Sequence, residues 1–313
     1  MEMDSKRTFG VRVLEFFMRL PARLPLGYHY AWGRFITWLV RDVFHYRNDV
    51  VFTNLARCFP DADYDVVKDI YRKFYVHFGE LFAEAVWFSG CRGARGRKRL
   101  VKQRICEIEN IEEFDAFYDR SSSVMVLNSH AGNWELLGGI GEYARAAGGK
   151  QNWTHKEVVV LYRAQSSKFW DQVMADGRCA PVSDLGFEGY VEAGSILRYA
   201  ITHRKDKKLY IFNTDQYPYA RAGGFPVGSF LNQETLSMGG GAAIACKMGM
   251  SVAYLRWFRT ERGHYRLAFV PLVADASETT PEELMKLYYK HLEKDIEAQP
   301  WNYLWTHKRW RKI

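Results

Sequence analysis

The chain has 313 residues, 48% of them apolar, enough to bury a full core in one large domain and to exclude a disordered polymer. Its formal charge of +8 points to an anionic partner, and an aromatic content of 16% tilts that choice toward a membrane interface. Five scattered cysteines, Cys58, Cys91, Cys106, Cys179 and Cys246, without a C-x-x-C pair argue against a disulfide framework or a zinc site.

The N-terminal stretch carries Asp4, Lys6, Arg7, Arg12, Glu15 and Arg19 among its apolar residues and lacks a small-residue cleavage site, so it does not read as a secretory signal. Phe9, Val13, Phe16, Phe17 and Leu20 recur at helical spacing opposite Arg12 and Arg19. Residues 24–40, LPLGYHYAWGRFITWLV, are aromatic and apolar but interrupted by His29 and Arg34, short of the ~20 clean residues a confident transmembrane helix needs. Residues 1–45 are therefore expected to form membrane-associated amphipathic helices, with residues 46–313 as the main domain. After the break at NLARCFPDAD, apolar spacing predicts one long helix ending near Trp87. The basic run from Arg92 to Arg104 then reads as a solvated loop or as a contact for an anionic surface.

From Ser122 onward strands and helices alternate. SSVMVLN at 122–128 reads as a buried strand with a helix from Trp134; EVVVLY at 157–162 is a second strand with a helix from about Ser166; KLYIFN at 208–213 is a third. SVAYLRWF at 251–258 and HYRLAFVP at 264–271 follow across a turn at Arg262 and Gly263, and a final helix covers roughly 281–298. The expected fold is α/β, a mostly parallel or mixed central sheet flanked by helices.

Three strand ends carry polar groups. The first delivers His130, the second Arg163, the third Asp215 and Gln216; neighbouring parallel strands would bring them to one edge, where open α/β sheets bind ligands. A neutral imidazole at His130 suits general-base work on a hydroxyl. Glu135 is the nearest carboxylate in sequence to hold its tautomer, and the pair meets only if Glu135 lies in the first turn of a helix that His130 precedes, an arrangement Gly132 and Asn133 permit. Arg163 suits a bidentate clamp on phosphate or carboxylate, and Asp215 would order the site or hold Arg163. MGGG at 238–241 offers backbone amides or a close approach for an acyl chain, although it matches neither a P-loop nor a dinucleotide fingerprint. No G-x-S-x-G elbow surrounds a serine, so direct transfer is preferred to an acyl-enzyme.

Taken in order, NSHAGNWELLGG at 128–139, YR at 162–163, DQ at 215–216 and PWNYLWTHKRWR at 300–311 resemble the late acyltransferases of lipid A biosynthesis, a branch of the lysophospholipid acyltransferase superfamily. NLARCFPD, FLNQET and GGGAAIACKMG look like the same group. The resemblance implies an enzyme on the cytoplasmic face of a Gram-negative inner membrane that moves an acyl chain from acyl carrier protein to a hydroxyl of a lipid A precursor. It carries over His130 and Glu135 as the catalytic dyad, with Arg163, Asp215, Asn133 and Gln216 binding substrate. No cofactor is called for, the acyl thioester being a co-substrate, and no nucleic acid partner is expected. Ala164 departs from the proline often found there in the family, and HAGNWE also looks like the variant of bacteria with unusual aminolipids, which leaves open other hydroxylated lipid acceptors and acyl-CoA as donor. A non-catalytic membrane-binding or nucleic-acid-binding protein is the remaining alternative, and it gives those polar strand ends no reason to share an edge.

Overall fold

The structure, a computed structural model, describes residues 17, 19–150, 152–164, 167–218 and 224–310. Phe9, Arg12, Val13, Phe16 and Arg311 lie outside them.

Among the described residues the helices α1 (Leu26–Trp38), which ends in a π-helical turn at Leu39–Val43, α2 (Asn48–Cys58), α3 (Tyr64–Ser89) and α4 (Gly93–Gln103) lead into the sheet. α1 packs on α3 through Tyr30, Gly33 and Thr37, and the backbones approach so closely that a Cβ at Gly79 would lie 2.6 Å from the Gly33 carbonyl oxygen. The other side of α1 is uncovered. Tyr28, Trp32 and Phe35, spaced four and three residues apart, are exposed with Trp38, as are Phe17, Leu20 and Leu24 before the helix and Val43 and Phe44 after it. Among the described residues no helix is long and apolar enough to cross a membrane.

The basic run expected as a loop is the helix α4. It folds because its positive charges are spent elsewhere. Arg92 binds Asp176, Arg97 binds Asp184 and lies 3.7 Å from Glu142, and Arg99 sits over the Trp87 ring while donating to Ala22 and Leu24 carbonyls. Leu100, fully buried, anchors its inner face.

The strands and remaining helices are β1 (Cys106–Ile108), α5 (Ile111–Arg120), β2 (Val124–Asn128), α6 (Ile140–Ala146), β3 (Val158–Tyr162), α7 (Lys168–Arg178), β4 (Tyr190–Glu192), α8 (Ile196–Thr202), β5 (Leu209–Asn213), β6 (Phe225–Phe230), β7 (Gln233–Ser237), α9 (Gly240–Met248), β8 (Ser251–Glu261), β9 (His264–Val273) and α10 (Pro281–Ala298). Seven of the strands form one sheet, order β1-β9-β8-β2-β5-β3-β4, parallel throughout except for the β8–β9 pair; β6 and β7 form a separate antiparallel ribbon. This is the expected α/β fold. Val124 to Asn128 are all fully buried, as a central parallel strand covered on both faces must be. β8 and β9 form the hairpin, joined through Arg262 and Gly263. α10 starts on a capping box, with the Thr280 side chain and Glu283 exchanging bonds and Pro281 in the first turn, so its N-terminus is written in the sequence T-P-E-E.

Candidate active site

β5 pairs in parallel with β2 on one side and with β3 on the other, so the three polar strand ends do become neighbours. Asn128 of β2 stands opposite Asn213 of β5, and their side chains bond at 2.5 Å. Beyond this pair the chain delivers His130 from β2 and Asp215 and Gln216 from β5, while Arg163 follows β3. A cavity of about 650 Å³ opens there, lined by His130, Trp134, Arg163, Arg178, Gln216 and the Met238–Gly241 turn that starts α9, among others.

His130 is held from four directions. Its Nδ1–H donates to Asp215 Oδ1 at 2.7 Å, which leaves Nε2 as an acceptor that Gln216 Nε2 reaches at 3.3 Å. The Trp134 ring meets the imidazole edge to face, centroids 4.8 Å apart. The backbone carbonyl of His130 accepts from Leu304 N, Ala131 bridges to Tyr303, and Gly132 N donates to Asn302 O, so the C-terminal segment after α10 clamps the loop. Gly132 itself has φ +63, and a Cβ there would lie 2.7 Å from the Trp257 ring.

Asp215 is 1% exposed. Burial pushes its carboxyl up, but the attraction of the His130 ring when protonated, the His130 hydrogen bond and backbone N–H groups outweigh burial, and the carboxyl ends below its ordinary value. α10 supports both strand ends: Tyr288 donates to the Asn128 carbonyl and Tyr289 to that of Thr214.

The expected hydrogen bond between Glu135 and His130 is not the one formed. Residues 134–139 make a 3-10 helix whose N-cap is Asn133, its side-chain oxygen accepting from Glu135 N at 3.2 Å. This turn sends the Glu135 carboxylate toward α7, where Arg178 grips both oxygens at 2.5 and 2.6 Å and Trp134 Nε1 donates at 3.0 Å. Arg178 continues to the Tyr190 hydroxyl at 3.1 Å. Glu135 therefore stands behind the cavity wall, fixing Arg178 and Trp134, which line it. Asn133, fully buried, also does not reach the cavity: its amide donates to Glu84 Oε2 at 2.8 Å. Glu84, fully buried as well, accepts from Tyr30 and Tyr265 besides, and burial leaves its carboxyl raised despite Arg259 and these three donors.

The structure thus gathers His130, Gln216 and Arg163 on the cavity wall with Asp215 buried behind His130, and puts Glu135 and Asn133 in the layer beneath. Arg178 was not singled out from the sequence. A basic residue in the last turn of a helix reads as a complement to the helix dipole, and nothing in its neighbourhood along the chain announces Glu135. Among the described residues no group of three or more His, Cys, Asp or Glu side chains is arranged to hold a metal ion.

A family model described as bacterial lipid A biosynthesis acyltransferase matches residues 1–312. The chain belongs to that family. No individual curated protein matches it significantly. As a lipid A acyltransferase it carries out acyl transfer in lipid A biosynthesis, and the family is associated with the inner membrane. The aromatic side of α1 gives this acyltransferase an exposed apolar surface on the same helix whose inner side reaches Glu84 through Tyr30.

Proposed function

We propose that the enzyme transfers a fatty acyl group from an acyl carrier protein thioester to a hydroxyl of a lipid A precursor, on the cytoplasmic face of the inner membrane, with His130 as general base. The observation that carries this reading is the Asp215–His130 hydrogen bond, which commits Nδ1 to the buried carboxylate and turns a lone pair on Nε2 toward the cavity. An acceptor hydroxyl entering there displaces Gln216 from Nε2 and gives its proton to the imidazole as its oxygen attacks the thioester carbonyl. Asp215 stabilises the resulting imidazolium. Collapse of the tetrahedral intermediate breaks the carbon–sulfur bond, the imidazolium returns the proton to the departing sulfur, and ester and thiol are the products.

Arg163 gives the cavity a guanidinium group suited to the phosphates of the acceptor or of the donor arm, while Arg178, held by Glu135 and Tyr190, shapes the same wall. The first N–H groups of α9 have no partner inside the helix, and Met238 to Gly241 form that part of the wall, which favours them as donors to the developing oxyanion. In this scheme Glu135 serves through Arg178 and Trp134 rather than by contact with His130. The exposed aromatic residues of α1 supply the membrane contact, their amphipathic rings being suited to the headgroup level.

The test incubates purified protein with labelled acyl carrier protein thioester and an extracted lipid pool and identifies the acylated product by mass spectrometry. His130→Ala should lower the rate by about two to four orders of magnitude while leaving membrane binding intact. An alanine variant as fast as wild type would remove His130 from the chemistry.

A further inference from the structure

A second cavity of about 540 Å³ lies next to the first, and the two share Leu137 and Val160 as lining residues. Leu137 belongs to the 3-10 helix that begins with Trp134, and Val160 stands two residues before Tyr162 on the same face of β3. These two side chains are a partition, with the imidazole of His130 on one side and the second space on the other. The lining of that space includes apolar side chains, Ile140 of α6, Val158 of β3, and Val182, Leu185 and Phe187 from the segment after α7, together with polar ones, Glu142, Arg145, Asn152 and Lys156 among them.

We infer that the second cavity seats the distal end of the transferred acyl chain, and that Leu137 and Val160 set how long a chain the enzyme prefers. This rests on the acyl-transfer reading and adds to it the determinant of chain length. The first cavity must hold the thioester and the reacting part of the acceptor together, so a long hydrocarbon tail needs room elsewhere. The path from Tyr162 to Val158 along β3 runs about 13 Å at the strand rise of ~3.3 Å per residue, and Val160 and Val158 give it apolar surface. The charged part of that lining limits the seat, because a methyl end pushed among Glu142, Arg145 and Lys156 would strip water from charged groups.

Gly141 provides the means of testing this without touching the catalytic cavity. It lies in α6, lines only the second cavity, and a Cβ built on it meets nothing within 4 Å, so a larger side chain projects into open space while glycine's low helix propensity is relieved. Wild type, Gly141→Leu and Leu137→Ala are each offered the extracted lipid pool as acceptor with a mixture of acyl carrier protein thioesters running from short to long even-numbered chains, and the products are weighed. Gly141→Leu should move the preference to a shorter chain by at least one two-carbon step, with discrimination against longer chains growing by about fourfold for each methylene denied its seat, and with undiminished rate on the shorter ones. Leu137→Ala, which thins the partition, should broaden the preference toward longer chains. An unchanged product spectrum in Gly141→Leu at wild-type rate overturns the assignment. If wild type transfers no acyl group from any thioester, the transferase reading fails by itself. The same chain series is then read as direct binding of saturated fatty acids, where Gly141→Leu must weaken the long chains selectively for the seat to stand and equal binding of all lengths overturns it.

Discussion

Asp215 Oδ1 lies 2.7 Å from Nδ1 of His130, although 85 residues separate the two in the chain. The contact exists because β2 and β5 are parallel neighbours in register at Asn128 and Asn213, so that two residues of extension from each strand end arrive at one point. Asp215→Asn preserves the shape but offers an amide donor where the imidazole needs an acceptor, forcing the proton to Nε2. The turnover number should fall by about 10³–10⁴, with KM and thermal midpoint far less affected. Steady-state kinetics beside a melting curve distinguish this from simple unfolding, which would reduce the active fraction and leave the remaining kinetics normal.

The same carboxylate should govern part of the acid arm of stability. Its folded-state pKa is depressed, so its contribution is fully present above the unfolded carboxylate value of about 3.9 and is lost as the pH falls through the folded value. Urea midpoints of wild type and Asp215→Asn, compared at neutral pH and again at successively lower pH, should therefore converge below about pH 4. A gap that stayed constant into strong acid would mean the folded protein does not hold Asp215 ionised.

Glu135 and Arg178 form a half-buried bidentate pair, and removing one partner leaves the other charged and poorly solvated. Arg178→Ala should cost on the order of 2–3 kcal/mol of stability, and Glu135→Gln in the same chain should recover part of that loss. Activity should fall in both, because Trp134, which touches the His130 ring, loses its anchored neighbour. Chemical denaturation of the two single variants and the double variant closes the cycle; strictly additive losses would show that the two side chains do not depend on each other.

The aromatic side of α1 can be tested without disturbing the core. Trp32 and Phe35 are 53% and 45% exposed, so replacing each by glutamate should change folding stability by no more than about 0.5 kcal/mol. Vesicle co-sedimentation should nevertheless weaken by roughly tenfold or more per substitution, as expected when an aromatic ring worth about 1.5–3 kcal/mol of apolar burial is withdrawn from the lipid. Undiminished binding would direct attention to another face.

Much of the architecture was legible because apolar runs are short, bounded and alternate with helical spacing. VMVLN, VVVLY and LYIFN announce themselves as buried strands, and T-P-E-E announces the start of α10. The identity of His130's partner was not legible. Along the chain Glu135 is close and Asp215 remote, and only strand pairing reverses that order. α4 was misjudged for the same physical reason: a run of arginines looks like a solvated loop until Asp176, Asp184 and Glu142, all distant in sequence, neutralise it. The place of Asn133 is hidden by burial, since a polar side chain close to His130 in the chain looks like a ligand to substrate until its amide is found bonded to Glu84.

The clamp of Asn302, Tyr303 and Leu304 on the backbone of residues 130–132 has a consequence for biosynthesis. The loop carrying His130, the proposed base, cannot take its final form until a stretch translated about 170 residues later has appeared, a delay of roughly 10–30 s at ordinary elongation rates. Helix α1, with its exposed tryptophans, leaves the ribosome well before that. The nascent enzyme thus has the surface proposed to meet lipid in hand first and the histidine proposed as base last, an order in which adhesion would precede chemistry.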